Sequence, residues 1–277
     1  MTTTSSHSGA GSFHEWPLVV FTTLAITGAG LLATPLVAWV AAGSTAPAAG
    51  AVRWGVLLLG AGLAVSTAHL GRPFRAPLAS LGIGRSPLSA EIVVAGITLL
   101  LGIVTAVVRD APPALGFTTA VAALAFLVTL GLVYALPGQQ TWRGASAWMP
   151  LSGGLLFSPI ALAVTREEIG TALGAATAVL LACDTALLVL RYRSLERPQE
   201  RLTPSHPQIF ARRRPMLAAR FLLVDILPAC GLLAGLPSIA AGLLGLGILL
   251  DRLGFYGFAS QHTTEAEVGG VERVMAS

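Results

Sequence analysis

The sequence contains no lysine: all 17 of its Lys and Arg residues are arginines. Charge of either sign is scarce, 11% of 277 residues against 54% hydrophobic. So few charges cannot cover a soluble surface, which excludes a cytosolic enzyme or a disordered tail. Cys183 and Cys230 are the only cysteines and lie in apolar runs, so the chain can build neither a disulfide framework nor a cysteine-ligated iron–sulfur cluster. Of five histidines only His69 falls near membrane depth, and the facing pair that a b-type haem needs is missing. No metal-ligand cluster, phosphate loop or nucleophile motif stands out. Gly82-Ile83-Gly84 reads as a loop, not a dinucleotide fingerprint. Residues 1–13 lack the basic start and cleavage pattern of a signal peptide, so the first apolar run is expected to be a mature membrane helix.

What the chain has is hydrophobic length. Its mean hydropathy is +0.76. Eight apolar runs stand out, at 17–40, 51–70, 88–108, 114–136, 147–165, 169–190, 215–235 and 237–258. Each is near the roughly 20 residues that cross a bilayer as helix. Backbone polar groups in hydrocarbon must be paired within their own segment, and these runs are too long and too apolar for barrel strands. The expected fold is therefore all-α: a polytopic membrane bundle of eight transmembrane helices with both termini on one side. A polar tail (1–16) precedes the anchor domain (17–258) and another (259–277) follows it. We call the side with the termini A. Side B is crossed only by short connections; side A carries the tails, the second and fourth connections and the long stretch between the sixth and seventh runs. Twelve arginines fall on A, against Arg53, Arg109 and Arg166 on B, so the positive-inside rule predicts that A is cytoplasmic. The stretch Ala211-Arg212-Arg213-Arg214-Pro215 reads as a juxtamembrane anchor with anionic-lipid contact, not as a nucleic-acid site.

Charges at membrane depth are costly and mark functional sites by default. Here they are His69, Glu91, Asp184, Arg220, Asp225, Asp251 and Arg252, all placed by helix counting in the A half or the centre. They read as a polar pocket open to A. The competing reading makes Asp184, Arg220, Asp225 and Arg252 mutual salt bridges that lock helices together. His69 and Glu91 stand at a loop mouth, where side chains exchange protons with water. Glu91 also reads as a carboxylate favoured by a helix N-terminus, with Ser89 as a local cap.

The second connection reads Ser66-Thr67-Ala68-His69-Leu70-Gly71-Arg72-Pro73-Phe74-Arg75-Ala76, and the third run opens Ser86-Pro87-Leu88-Ser89-Ala90-Glu91. Together with His14-Glu15-Trp16-Pro17-Leu18, Thr141-Trp142, Trp148-Met149-Pro150 and Arg252 before Phe255-Tyr256-Gly257, these motifs cover most of the chain. In this the chain resembles the membrane anchor subunit of bacterial dimethyl sulfoxide reductases, within the wider superfamily of polysulfide and nitrite reductase membrane subunits. The resemblance implies a plasma-membrane subunit that oxidises menaquinol and holds no haem, iron–sulfur cluster or molybdenum of its own. It would tether an iron–sulfur subunit and a molybdopterin catalytic subunit. His69 takes the position of the family histidine associated with quinol binding, and its ordinary pKa suits a proton acceptor at neutral pH. Glu91 would relay protons or orient His69. Arg72 and Arg252 would contact the quinone, with Arg75 facing the iron–sulfur partner. The family's acid one turn before Arg252 is here Ile248, and Asp251 supplies an acid three positions on. In characterised relatives the docking face is periplasmic, opposite to what the arginine bias predicts. Two alternatives stand beside this reading: an anchor for a polysulfide, thiosulfate or tetrathionate reductase, and, from another class, a proton-coupled transporter using Asp184, Asp225 and Arg220. The absence of an internal repeat argues against the transporter. No charge continues from Asp225 toward B, so no proton pumping is expected.

Overall fold

The computed structural model describes residues 16–69, 86–135, 144–165, 170–196 and 206–259. Among them there is no strand, and eight helical stretches are long and apolar enough to cross a membrane. The chain runs through α1 (Trp16–Leu32), α2 (Thr34–Ala42), a short 3-10 turn (Ala46–Ala48), α3 (Ala49–His69), α4 (Pro87–Val107), α5 (Pro113–Val133), α6 (Ala145–Leu155) and α7 (Phe157–Thr165). It continues through α8 (Thr171–Glu196), α9 (His206–Phe221), a π turn (Leu222–Ile226), α10 (Leu227–Leu233) and α11 (Pro237–Ala259). The tails proposed from sequence lie outside the described residues apart from Trp16 and Ala259.

Among the described residues the eight runs form eleven α-helices, because prolines interrupt three spans. Proline has no N–H for the carbonyl four residues back, and its ring crowds that carbonyl. Pro35 stands just after the α1/α2 junction and Pro159 just after the α6/α7 junction. Pro228 follows the π turn, in which the Leu227 N–H reaches back five residues to the Leu222 carbonyl. Each break leaves the span apolar and crossing.

Small residues fix how the spans pack. Close cross-helix pairs join neighbouring spans: Gly28 against Gly55 and Leu59, Gly60 against Leu99, Gly131 against Ala147, and Gly247 against Leu223 and Val224. Between α4 and α5 the Thr98 hydroxyl donates to the Ala122 carbonyl (2.9 Å). The tightest crossing joins α1 to α6, where a Cβ on Gly30 would run into the Gly154 carbonyl and the Ser158 hydroxyl donates to the Gly30 carbonyl (2.7 Å). Without a hydrophobic drive between helices in lipid, such close backbone approach supplies much of the packing. Gly30→Ala must push α1 away from α6 and should cost about 1–3 kcal/mol. Gly96, which faces open space, should accept alanine with little change. Thermal unfolding of the two variants in detergent checks this.

Candidate functional site

The ionisable residues converge as two neighbouring groups, not one. The first is a closed ionic network between α8, α9, the π segment and α11. The buried stripe of α8 runs Leu173, Thr177, Asp184, Leu188, Arg191, steps of three, four or seven that keep one face inward. Asp184 receives Arg220 as a two-pronged partner, with Nη1 on Oδ2 and Nη2 on Oδ1 at 2.9 Å, and takes a further bond from the Ser152 hydroxyl at 2.6 Å. Arg220 also reaches Asp225 at 3.2 Å, and Thr185 donates to the other Asp225 oxygen at 2.9 Å. Asp251 accepts Arg191 at 2.5 Å, holds Arg252 through its second oxygen and lies 3.8 Å from Arg220 Nε. Three aspartates thus balance three arginines, and Arg220 is only 1% exposed. Charges so far from water are tolerated when acids and bases pair in this way, although the Nε atoms of Arg191, Arg220 and Arg252 and the Nη1 of Arg252 find no hydrogen-bond partner among the described residues.

The π turn accounts for Asp225's place. In an α-helix, residues five apart diverge by about 140°, on opposite sides. Widening the turn brings Asp225 round beneath Arg220, so the π turn before Pro228 recruits a third acid. Extra-residue turns of this kind recur at functional sites.

The second group lies beside the first, where α4, α5 and α11 meet the start of α1. The inward face of α4 is Glu91, Ala95, Thr98 and Gly102. Glu91 is 5% exposed and within electrostatic reach of Tyr134 and Tyr256. Those two hydroxyls meet at 2.5 Å. Phe255 packs edge-on against both rings (centroids 5.2 and 5.4 Å), and Val19 closes the cluster from α1. The Arg252 guanidinium stacks on Phe255 at 4.6 Å. One Arg252 nitrogen bonds Asp251, while its buried Nε and Nη1 find no hydrogen-bond partner among the described residues. Arg252 therefore ties the ionic network to the aromatic group and still has donors to offer.

The candidates from sequence are distributed accordingly. Asp251 and Arg252 belong to the network, and Arg252 also borders the second group. His69 ends α3; the pairs Val56·Gly102 and Gly60·Leu99 set an antiparallel register that brings its backbone level with Ser89 to Glu91. Arg72 and Arg75 lie outside the described residues. The helix-terminus reading of Glu91 is corrected: the N-cap is Ser86 without a side-chain cap bond, and Glu91 is the fifth residue of α4, past the first turn. Ile248 packs on Gly153, while Asp251 faces three arginines. Arg191, counted among the side-A loop arginines, is instead 2% exposed inside α8, because the helix continues to Glu196. In sequence Tyr134 is marked only by a phenol among aliphatic neighbours at the end of an apolar run.

Eight membrane-length helices, carrying a neutral ionic network and an acid–tyrosine–arginine cluster, define an integral membrane protein with a polar site built between its spans. The chain belongs to the dimethyl sulfoxide reductase anchor subunit family, whose model matches residues 9–241. It is 30% identical over 281 residues to the anaerobic dimethyl sulfoxide reductase chain YnfH of Escherichia coli (strain K12), an alignment covering 88% of this chain and 95% of that protein.

Proposed function

We propose that this membrane anchor of a dimethyl sulfoxide reductase-type complex oxidises menaquinol at the Glu91 end of the bundle and passes the electrons to an iron–sulfur partner, which feeds a molybdopterin catalytic subunit. The observation that carries this reading is Arg252: a fully buried guanidinium, held by Asp251, with two N–H edges unfilled beside a buried carboxyl and a pair of phenols. Oxidising a quinol releases two protons and two electrons. The site must therefore hold the ring oxygens, accept protons from them and stand near an electron acceptor.

The chain's residues divide that work. Arg252 offers N–H donors to the ring oxygen that becomes a carbonyl, and Asp251 fixes its orientation. Arg72, matching the family motif in the connection after α3, supplies a further contact to the quinone. His69, level with Glu91, accepts the proton, and Glu91 either relays it or orients the imidazole. Tyr134 and Tyr256 extend the hydrogen-bonding set, each able to donate and accept. Positioned proton transfer of this kind contributes typically 10²–10⁴-fold.

His69→Ala in the assembled complex tests the reading. Menaquinol-driven substrate reduction should fall about 100-fold or more, while reduction driven by an artificial dye persists, because dye electrons bypass the anchor. Unchanged quinol activity would remove His69 from the mechanism. Loss of dye activity from the membrane fraction would make its loop a docking element instead.

A further inference from the structure

Arg53 and Arg109, two of the three arginines that the sequence assigns to side B, belong to neither polar group described above. Both line a cavity of about 500 Å³ at the end of the bundle away from Glu91. There the end of α2, the 3-10 turn and the first residues of α3 face the end of α4 and the start of α5. Thr105, on the cavity wall, follows Glu91 by fourteen residues in the same helix, which places it about 21 Å away at ~1.5 Å per residue. A Cβ on Gly116 would stand 3.2 Å from Pro35 and 3.4 Å from Thr45, so α5 packs closely on α2 and the turn. Trp39 and Trp54 are 42% and 64% exposed at this end and mark it as headgroup level, where indole rings collect. Arg53, Arg109 and Asp110 are exposed, and among the described residues no hydrogen bond or ion pair engages their side chains. Asp110 also has a φ of 56°, in the left-handed region that L-residues disfavour, with no side-chain hydrogen bond to offset it. Beside them Ser44 Oγ accepts the Ala46 N–H at 3.2 Å, which leaves its own hydroxyl proton to donate.

We propose that this cavity binds the headgroup of a phospholipid that ends in a primary amine, with the phosphate on Arg53 and Arg109 and the ammonium on Asp110. Charge complementarity selects the occupant. Two cations and one anion that do not pair with one another match a headgroup that carries a phosphate and an ammonium a few bonds apart. The guanidinium forks donate to the phosphate oxygens, as does the Ser44 hydroxyl, and a primary ammonium has three N–H donors for the carboxylate. A glycerol headgroup would satisfy the arginines but leave Asp110 beside an added negative charge. A choline headgroup has no N–H for Asp110, and its methyl groups hold the two charges further apart. The headgroup depth makes a membrane lipid the source of the phosphate, and a basic pocket at that depth gains about fivefold in affinity per arginine.

Native mass spectrometry of the intact complex tests this, after exchange into detergent with phosphatidylethanolamine, phosphatidylglycerol or phosphatidylcholine of the same acyl chains. Occupancy is read per folded complex. The wild type should retain phosphatidylethanolamine above the other two. Combining Arg53→Gln with Arg109→Gln should weaken that retention about 30-fold. Their loss sharpens the arginine contrast between the two sides, so insertion is not compromised. Asp110→Asn should move two lipids in opposite directions, lowering phosphatidylethanolamine and raising phosphatidylglycerol. Asparagine accepts the left-handed backbone at this position, so the turn between α4 and α5 is kept. Ala49→Phe, at an exposed position on the rim, fills the cavity without altering charge and should expel the lipid. Equal retention of the three lipids by the wild type overturns the proposal, as does unchanged phosphatidylethanolamine in the glutamine variant. A fall of both lipids with Asp110→Asn, or of neither, overturns it as well. Undiminished binding to Ala49→Phe would place the lipid on a diffuse surface outside the cavity. Soluble glycerophosphoethanolamine held as tightly as the lipid would make the ligand an aqueous phosphate ester and likewise overturn it.

Discussion

Arg220→Met should lower the thermal stability of the anchor by about 3–5 kcal/mol, the usual cost of removing one member of a buried ion pair. Arg220 is the only cation that touches Asp184 and Asp225 among the described residues, and those acids are 0% and 4% exposed. Without it two carboxylates remain buried with only Ser152 and Thr185 as donors, and the network as a whole becomes net negative. The dye-driven and quinol-driven activities of membranes should fall together, because both follow the amount of folded anchor. Adding Asp184→Leu restores charge balance in the network and should recover part of the loss, since a buried pair replaced by apolar side chains of similar size is often neutral or better. Unfolding of the single and double variants in detergent gives the coupling directly. A single variant as stable as wild type would mean that the three aspartates do not depend on Arg220.

The helix count was legible because it depends on apolar length alone, which a bilayer reads without reference to tertiary contacts. What escaped depends on the neighbours. The junctions at Ala33 and Leu156 come from prolines inside apolar runs, and a membrane span tolerates proline well enough that its presence does not say whether the helix bends or breaks. Arg191 was misplaced because polarity marks helix ends in sequence. Here α8 continues past it, and the inner stripe from Asp184 through Leu188 delivers it to Asp251.

Asp184, Arg220 and Arg252 were found by charge at depth, and the salt-bridge reading of Asp184, Arg220 and Asp225 matches their geometry, while Arg252 pairs with Asp251 instead. Asp225 is marked by its charge as well, but its contact with Arg220 depends on the π turn. No residue pattern announces that turn except Pro228 three positions on, so an α-helical wheel places Asp225 away from Arg220. Tyr134 needed α5 and α11 to be neighbours, which no local signal states. The distinction of Glu91 from the arginine network follows from the same long-range packing: charge counting alone merges two groups that meet only through Arg252 on α11.

Glu91→Gln should abolish most menaquinol-dependent turnover, about 100-fold or more, while leaving dye-driven reduction and the amount of anchor in the membrane near wild type. Glutamine has almost the same volume and keeps a hydrogen-bonding carbonyl, so the inward face from Glu91 to Ala95 and Thr98 stays packed. What it loses is the capacity to take up a proton. Burying a carboxyl this thoroughly costs free energy, and α4 gives no local compensation: Glu91 is beyond the first turn, and no hydrogen bond joins it to a described residue. A fold that keeps such a group gains nothing in stability from it. Removal of a proton acceptor used only as the quinol reacts lowers kcat and kcat/KM together and leaves KM near its wild-type value. Arg252→Met, which deletes donors to a bound ring oxygen, should instead raise KM. Measuring both parameters with a soluble menaquinol analogue separates these roles. A Glu91→Gln complex with wild-type kcat would show that the acid only fills space, and a parallel fall in dye activity and membrane content would show that it holds α4 in place.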